Sequence, residues 1–169
     1  MSDFLREFEF KKQPIEITYL ENEPLKLNQN FAFFHNKSKF RKDLTRLQYL
    51  FKSYTNIALN AFGIRDSYLN NEYFDKYLIV LFTTNEIIKD ANQIIKNHSE
   101  IQINSGCFYI FSNSRYVLLL ARDIEGLVFG IDTIENILKQ IMEDYLNKKN
   151  FDDYITIRSF KLLNCSKSS

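Results

Sequence analysis

Two of the four glycines in this chain of 169 residues lie inside its most strongly periodic segment. Apolar residues recur there at the helical period, at Ile124, Leu127, Val128, Ile131, Ile134, Ile137, Leu138 and Ile141. A glycine costs a helix about 1 kcal/mol relative to alanine, because its backbone loses more freedom on folding. Gly126 and Gly130 are four residues apart and share one helical face. We therefore predict that they let this helix approach a sheet or a partner backbone closely.

Two further helices are predicted before this one. The first contains Phe40, Leu44, Leu47 and Phe51 at helical spacing and is capped by Asn36 or Ser38. The second opens with the capping box Thr83 to Glu86 and presents apolar residues from 87 to 95. The long helix is capped by Asp123 and ends near Leu146.

The strand signals are short runs of β-branched, aromatic or continuously apolar residues. They fall at 15–20, 25–27, 31–34, 57–64, 76–82, 107–111, 116–120, 155–157 and 160–163. The run at 76–82 is typical of a central strand, 107–120 of a hairpin, and the last two runs of a final strand pair. The first dozen residues alternate Phe with charge, which fits a loose terminal strand or a short helix. The pattern predicts one α+β domain at 12–163, with a mixed, largely antiparallel sheet, two to three packed helices, an extension at 1–11 and a tail at 164–169.

Charge and hydropathy argue against nucleic acids and membranes as partners. The chain has 22 basic and 21 acidic residues, and nucleic-acid binding usually requires a basic excess that neutralises phosphates. No stretch approaches the roughly 18 apolar residues of a membrane-spanning helix. Acidic residues at the amino end leave no signal peptide visible, so we expect a cytoplasmic location if the chain is complete. Otherwise the location stays unknown.

Neither the cysteines nor the other reactive side chains form a recognisable catalytic or metal motif. Cys107 lies in an apolar run and is interpreted as a buried small hydrophobe, whereas Cys165 is near a polar tail and is interpreted as a free thiol. A disulfide between them is possible, but without an export signal little favours it. The only histidines, His35 and His98, have no ligand at metal spacing. We therefore expect no cofactor and no metal.

The hairpin and the glycine-bearing helix together resemble a known domain. The second hairpin strand, 116–121, leads directly into the helix at 123–138. This arrangement resembles the small domain before the catalytic barrel in glycoside hydrolase families 20 and 84, the β-hexosaminidases and O-GlcNAcase-like enzymes. The domain's recurring pattern, G-x-F-Y-G-[LI]-x-T-[LI], is matched at Gly126, Gly130, Ile131, Thr133 and Ile134. Val128 and Phe129 replace the aromatic pair, and Asn136 stands near the usual Gln. The resemblance implies a zincin-like fold over about residues 12–160.

The resemblance also gives expectations for the carboxyl end. In the family, a D-Y-P-like segment and an Arg-Gly-Phe at the first barrel strand follow the helix. Asp153-Tyr154 and Arg158-Ser159-Phe160 stand in the corresponding place. The family's catalytic acid pair lies in the barrel, which takes on the order of 250 residues, so no residue here inherits a catalytic role. Asp152-Asp153 is not a substitute, because adjacent strand residues point to opposite faces.

The resemblance implies a non-catalytic accessory domain, structural or partner-binding, that is not an enzyme by itself. Its expected partner is a protein or the missing barrel, and a homodimer is possible. We expect an exposed apolar patch near 154–160, with Tyr154, Arg158 and Phe160 as the possible interface. Two alternatives remain open. An aromatic patch away from the carboxyl-terminal segment favours an unrelated protein-interaction module. A deep pocket with several perturbed ionisable groups favours an enzyme with an unrecognised site.

Overall fold

The computed structural model describes residues 7–27, 31–35, 41–55, 61–63, 76–82, 98, 101–146 and 155–166. These residues form nine strands and two helices: β1 Glu16–Tyr19, β2 Leu25–Leu27, β3 Phe31–His35, α1 Arg41–Thr55, β4 Ala61–Gly63, β5 Lys76–Phe82, β6 Cys107–Ser112, β7 Tyr116–Ala121, α2 Ile124–Leu146, β8 Ile155–Ile157 and β9 Phe160–Cys165. The predicted caps at 36 and 38 and the predicted helix at 83–95 lie outside the described residues.

Seven strands form one mixed sheet in the order β1-β9-β6-β7-β5-β3-β4. β6 and β7 are the predicted hairpin, and the Asn113 side chain closes its turn by accepting hydrogen bonds from the backbone N–H of Arg115 and Tyr116, both at 2.9 Å. β1, β9 and β6 are also antiparallel neighbours, whereas β7, β5, β3 and β4 run parallel. The predicted α+β class with a mixed sheet is confirmed. The sheet is more parallel than expected, because β3, β5 and β7 are joined by long crossover connections rather than by tight turns.

The last two strands do not pair with each other, and this part of the prediction is wrong. β8 pairs with β2 in a separate two-stranded sheet, and β9 lies between β1 and β6. Only Arg158 and Ser159 separate β8 from β9. A two-residue connection is long enough for a hairpin, but β8 and β9 instead pair with strands that are distant in the sequence.

Both helices pack on one face of the sheet. Strand alternation places Phe108 and Ile110 of β6 on this face, where they join Leu47 and Leu50 of α1 in one apolar cluster. Six of the eight apolar residues predicted for the stripe of α2 belong to the same cluster: Leu127, Ile131, Ile134, Ile137, Leu138 and Ile141. Of the other two, Ile124 is exposed and Val128 is only partly buried. The long helix and its periodicity are therefore confirmed. Neither described helix is both long enough and apolar enough to span a membrane.

The outward sides of α1 and α2 are joined by ion pairs. The Arg46 guanidinium lies 2.7 Å from the carboxylate of Asp132 and 2.8 Å from that of Glu135. Lys139 lies 3.2 Å from Glu135 one turn further along α2. Because these side chains are partly exposed, each pair contributes no more than about 1 kcal/mol. The pairs fix how the two helices lie side by side, while burial supplies most of the stability.

The folded unit extends beyond the predicted limits of 12 and 163 at both ends. Phe8 is only 9% exposed and belongs to the apolar cluster. At the other end, β9 continues to Cys165, and the backbone N–H of Ser166 donates to the Gly106 carbonyl at 2.9 Å. Parts of the predicted extension and tail are thus built into the fold.

Cys107 and Cys165 form a disulfide, so the interpretation of Cys165 as a free thiol is wrong. The two residues are register partners in the antiparallel pair of β6 and β9. Their separation of 58 residues hides this proximity in the sequence. The bond fastens the last residue of β9 to the first residue of β6.

Reduction of this bond is expected to lower the free energy of unfolding by about 3–4 kcal/mol, because it releases a closed loop of 58 residues in the unfolded chain. Urea denaturation with and without a reductant measures the change. A double variant, C107S with C165S, is the control and should unfold at the same urea concentration in both buffers. Equal midpoints for the unmodified chain in the two buffers would contradict the assignment.

Candidate functional site

The two helical glycines lie where α2 crosses β6 and β7. A Cβ added at Gly126 would collide with the backbone carbonyl of Cys107. A Cβ added at Gly130 would lie 2.6 Å from the Leu119 Cδ1 atom and 3.1 Å from the Phe108 ring. Both distances are shorter than ordinary van der Waals contact. The absence of side chains at 126 and 130 is therefore what allows α2 to lie this close to the sheet.

Asp123 fixes the amino end of α2 to the strand beneath it. Its Oδ1 atom accepts a hydrogen bond from the backbone N–H of Gly126 at 2.9 Å, which is the predicted helix cap. Its Oδ2 atom accepts from the Ser105 hydroxyl at 2.6 Å and from the Gly106 N–H at 2.9 Å. Gly106 has a φ of 76°, a left-handed conformation that favours glycine. One carboxylate thus joins the helix to the loop that begins β6.

The charge of Asp123 is stabilised by these bonds. Partial burial raises the pKa of its carboxyl, but the hydrogen bonds from the Ser105 hydroxyl and from two backbone N–H groups outweigh burial. The net pKa therefore lies below that of an ordinary aspartate. This side chain is an ionised structural acceptor at neutral pH. It cannot serve there as a proton donor.

The carboxyl end of β9 joins the same corner of the fold. The Ser166 hydroxyl donates to the Glu125 carboxylate in the first turn of α2 at 2.7 Å, next to the disulfide of Cys165. The amino end of α2, the start of β6 and the end of β9 are therefore held together by one group of contacts. We call this group the α2 corner and define it by Gly106, Cys107, Asp123, Gly126 and Cys165.

The predicted interface at the carboxyl end is only partly visible. Tyr154 lies outside the described residues. The Arg158 guanidinium lies 4.3 Å from the centre of the Tyr19 ring, a cation–π contact within the domain. Phe160 is 1% exposed and packs edge-on against the Phe8 ring, with ring centres 5.1 Å apart.

The predicted apolar patch is wrong for the described part of this segment. Ile155 and Ile157 are 6% and 1% exposed, and Phe160 is equally buried, because the segment's apolar side chains face the domain's own core. Phe160 is also the first residue of β9, which belongs to the seven-stranded sheet of this chain. The expected correspondence of Arg158-Ser159-Phe160 with a first barrel strand is therefore not what the fold contains. The reason is that β9 is hydrogen-bonded on both sides within this sheet, to β1 and to β6.

A second group of ionisable side chains lies on the opposite face of the sheet. The His98 ring nitrogen Nε2 is 3.2 Å from the Tyr116 hydroxyl, and the His98 ring contacts Tyr109 and Phe111. Burial lowers the pKa of His98, and the positive charge of Lys161 adds to this effect. Burial raises the pKa of Tyr109 to about 12, with contributions from Tyr116 and Glu16. At neutral pH this cluster is uncharged, as expected of aromatic side chains that cover a sheet.

The two histidines do not meet. His35 is buried at the end of β3, and His98 lies beside the β6–β7 hairpin. Within the described ranges, no group of three or more His, Cys, Asp or Glu side chains is arranged to hold a metal ion. Asp152 and Asp153 lie outside those ranges.

The architecture is shared with solved glycosidase structures. The structure of CpGH84D superposes with a TM-score of 0.65 at 12% identity and covers 95% of this chain but 24% of that protein. The GH20 β-N-acetylhexosaminidase from Streptomyces coelicolor A3(2) gives 0.57 at 10% identity, with 90% and 25% covered. The Streptomyces plicatus β-hexosaminidase gives 0.56 at 10% identity, with 89% and 25% covered.

These matches confirm the predicted resemblance at the level of the fold: the chain has the fold of the small α+β domain found in hexosaminidase-type glycoside hydrolases. It spans about a quarter of the length of the three enzymes named above. Neither a protein-family model nor a curated relative matches the chain by sequence. The likeness to these structures is therefore one of fold alone.

Substituting the helical glycines tests the close approach of α2. Alanine improves helix propensity by about 1 kcal/mol, yet we expect G126A to destabilise the domain by about 2–4 kcal/mol, because a backbone carbonyl cannot move away easily. G130A should cost less, about 1–3 kcal/mol, since the Leu119 side chain can shift. Urea denaturation measures both. E143A, on the exposed side of α2, is the control and should change stability by less than about 0.5 kcal/mol. A stabilised G126A variant would contradict the contact.

Removing the cap tests Asp123. We expect D123A to lower the free energy of unfolding by about 1 kcal/mol at pH 7. Because the folded-state pKa is depressed, this contribution is present above about pH 4 and is lost as pH falls through the folded-state pKa. The difference between the unmodified chain and D123A should therefore shrink in acid. D123S, which keeps a cap acceptor without a titrating group, should retain most of the stability at pH 7. A difference that stays constant down to pH 2 would refute the ionised cap.

Proposed function

We propose that this chain is a non-catalytic supporting domain of the hexosaminidase type, which stiffens a catalytic barrel or a related protein by packing beside it. The proposal rests on two numbers in each structural match: the share of this chain that superposes and the share of the enzyme that it covers. Nearly the whole of this chain superposes on 24–25% of each of the three enzymes named above. The unit that is shared with those enzymes is therefore a small part of each of them. The family resemblance assigns to that part a structural role.

Two acidic side chains of the described residues, Asp123 and Glu135, agree with this proposal. A glycosidase needs a general acid whose pKa is raised, opposite a second carboxylate. Here hydrogen bonds lower the pKa of Asp123, and partial burial does not reverse the effect. The pKa of Glu135 is lowered too, because the bonds from Arg46 and Lys139 outweigh its partial burial. Both carboxylates are engaged as structural acceptors, which is unfavourable for proton donation.

The contacts of α2 also suit a stiffening role. The helix is held by the Asp123 cap at its amino end, by the glycine contacts along its inner face and by the Arg46 pairs on its outer side. A helix held at three places moves little relative to the sheet on which it packs. This is the property expected of a supporting domain, and a catalytic lid would require the opposite.

An activity assay tests the proposal. The purified chain should not hydrolyse a chromogenic N-acetylglucosaminide above the rate of a buffer blank, because the acid pair of the family lies in the barrel. A family 20 enzyme at the same molar concentration is the positive control. Turnover by the chain that survives repeated purification would contradict the proposal, and D123A would then show whether the α2 corner is responsible.

A further inference from the structure

The amino-terminal segment at residues 7–10 packs on the domain in the manner of an extended strand. It pairs with no strand in the described part of the chain. Phe8 is buried and Phe10 is partly buried, whereas Glu7 and Glu9 are exposed. This alternation is that of an extended backbone with one face directed inward. The segment therefore lies across the domain with two aromatic side chains on its inner side.

Phe8 occupies an aromatic pocket. Its ring lies 5.1 Å from that of Phe160 in an edge-on arrangement and 5.8 Å from that of Tyr19. The backbone N–H of Phe8 donates to the Tyr19 hydroxyl at 2.8 Å. Arg158 covers the Tyr19 ring, so the pocket wall is itself held in place.

The backbone of Glu9 is held by amide side chains of α2. Its N–H donates to the Gln140 Oε1 atom at 2.9 Å, and its carbonyl accepts from the Gln140 Nε2 atom at 2.8 Å. The Asn136 side-chain amide donates to the same carbonyl at 3.2 Å. One glutamine thus satisfies both backbone groups of a single residue, as a neighbouring strand would do. All three of these hydrogen bonds involve the backbone of Glu9.

We propose that the groove between α2 and β1, formed by Gln140, Asn136, Tyr19 and Phe160, is a peptide-binding site. Its ligand class is an extended segment with aromatic residues at alternate positions, and residues 7–10 of this chain are its occupant. Backbone recognition combined with a side-chain pocket is the general mode by which proteins bind extended peptides. The groove shares no residue with the α2 corner.

The attachment of the segment supports a ligand-like role. Among the described residues, the backbone of 7–10 is bound by side chains, and no backbone hydrogen bond joins it to a strand or a helix. Residues 11–15, which include Pro14, connect it to β1 without a helix or a strand. The segment is therefore held by local contacts and a short tether, so that an equivalent peptide can replace it once the tether is cut.

The experiment cuts the tether in the full chain. A protease recognition sequence is inserted between Lys12 and Gln13, the folded protein is cleaved, and a fluorescent peptide of residues 4–12 is added. We expect the peptide to exchange with the cleaved segment and to bind saturably by fluorescence anisotropy. Q140A should weaken binding about tenfold, because two hydrogen bonds are lost. A peptide carrying Phe8→Ala should fail to compete with the labelled peptide.

Controls separate binding from misfolding. Q102A alters an exposed glutamine away from the groove and should leave the affinity unchanged. Circular dichroism of the cleaved protein reports whether the domain remains folded. Unfolding on cleavage would overturn the proposal, because the domain would then need the covalently attached segment in order to stay folded. A folded, cleaved domain that takes up no peptide, or equal affinity for Q140A and the unmodified chain, would overturn it as well.

Discussion

The contact between α2 and the start of β6 is the interaction on which the rest of the structure depends. At Gly126 the helix lies against the Cys107 carbonyl with no room for a side chain, and at Gly130 it lies on Phe108 and Leu119. This distance sets the depth to which the apolar stripe of α2 enters the core. If α2 lay further from the sheet by the width of one methyl group, its apolar side chains would lose contact with β6 and β7, because protein cores are close-packed.

The same corner joins parts of the chain that are distant in sequence. Asp123 links the helix to the loop before β6, and the disulfide from Cys107 to Cys165 links β6 to the end of β9. β9 in turn lies beside β1, next to the groove that holds Phe8. The terminal segments of the domain thus depend on the position of one helix. This arrangement suits the supporting role proposed above.

Features that depend on local sequence could be predicted, and features that depend on long-range pairing could not. The period of α2, its Asp123 cap, its two glycines and the hairpin are each encoded in consecutive residues, and they agree with the structure. The pairing of Cys107 with Cys165 and the separation of β8 from β9 depend on strand register across the sheet, which no local pattern contains. The burial of Phe8 had one signal, the alternation of Phe with Glu at residues 7–10. The α2 side chain that binds the backbone of this segment, Gln140, lies 131 residues from Glu9.

Nuclear Overhauser measurements on the folded chain test the central contact most directly. We expect cross-peaks between the Gly126 α-protons and the backbone of Cys107 and Phe108, and between the Gly130 α-protons and the Phe108 ring. The amides of both glycines should also exchange slowly with solvent, as expected for a helix pressed against a sheet. Helical chemical shifts for α2 without these cross-peaks, together with fast exchange at Gly126 and Gly130, would mean that the two glycines face solvent and would contradict the account.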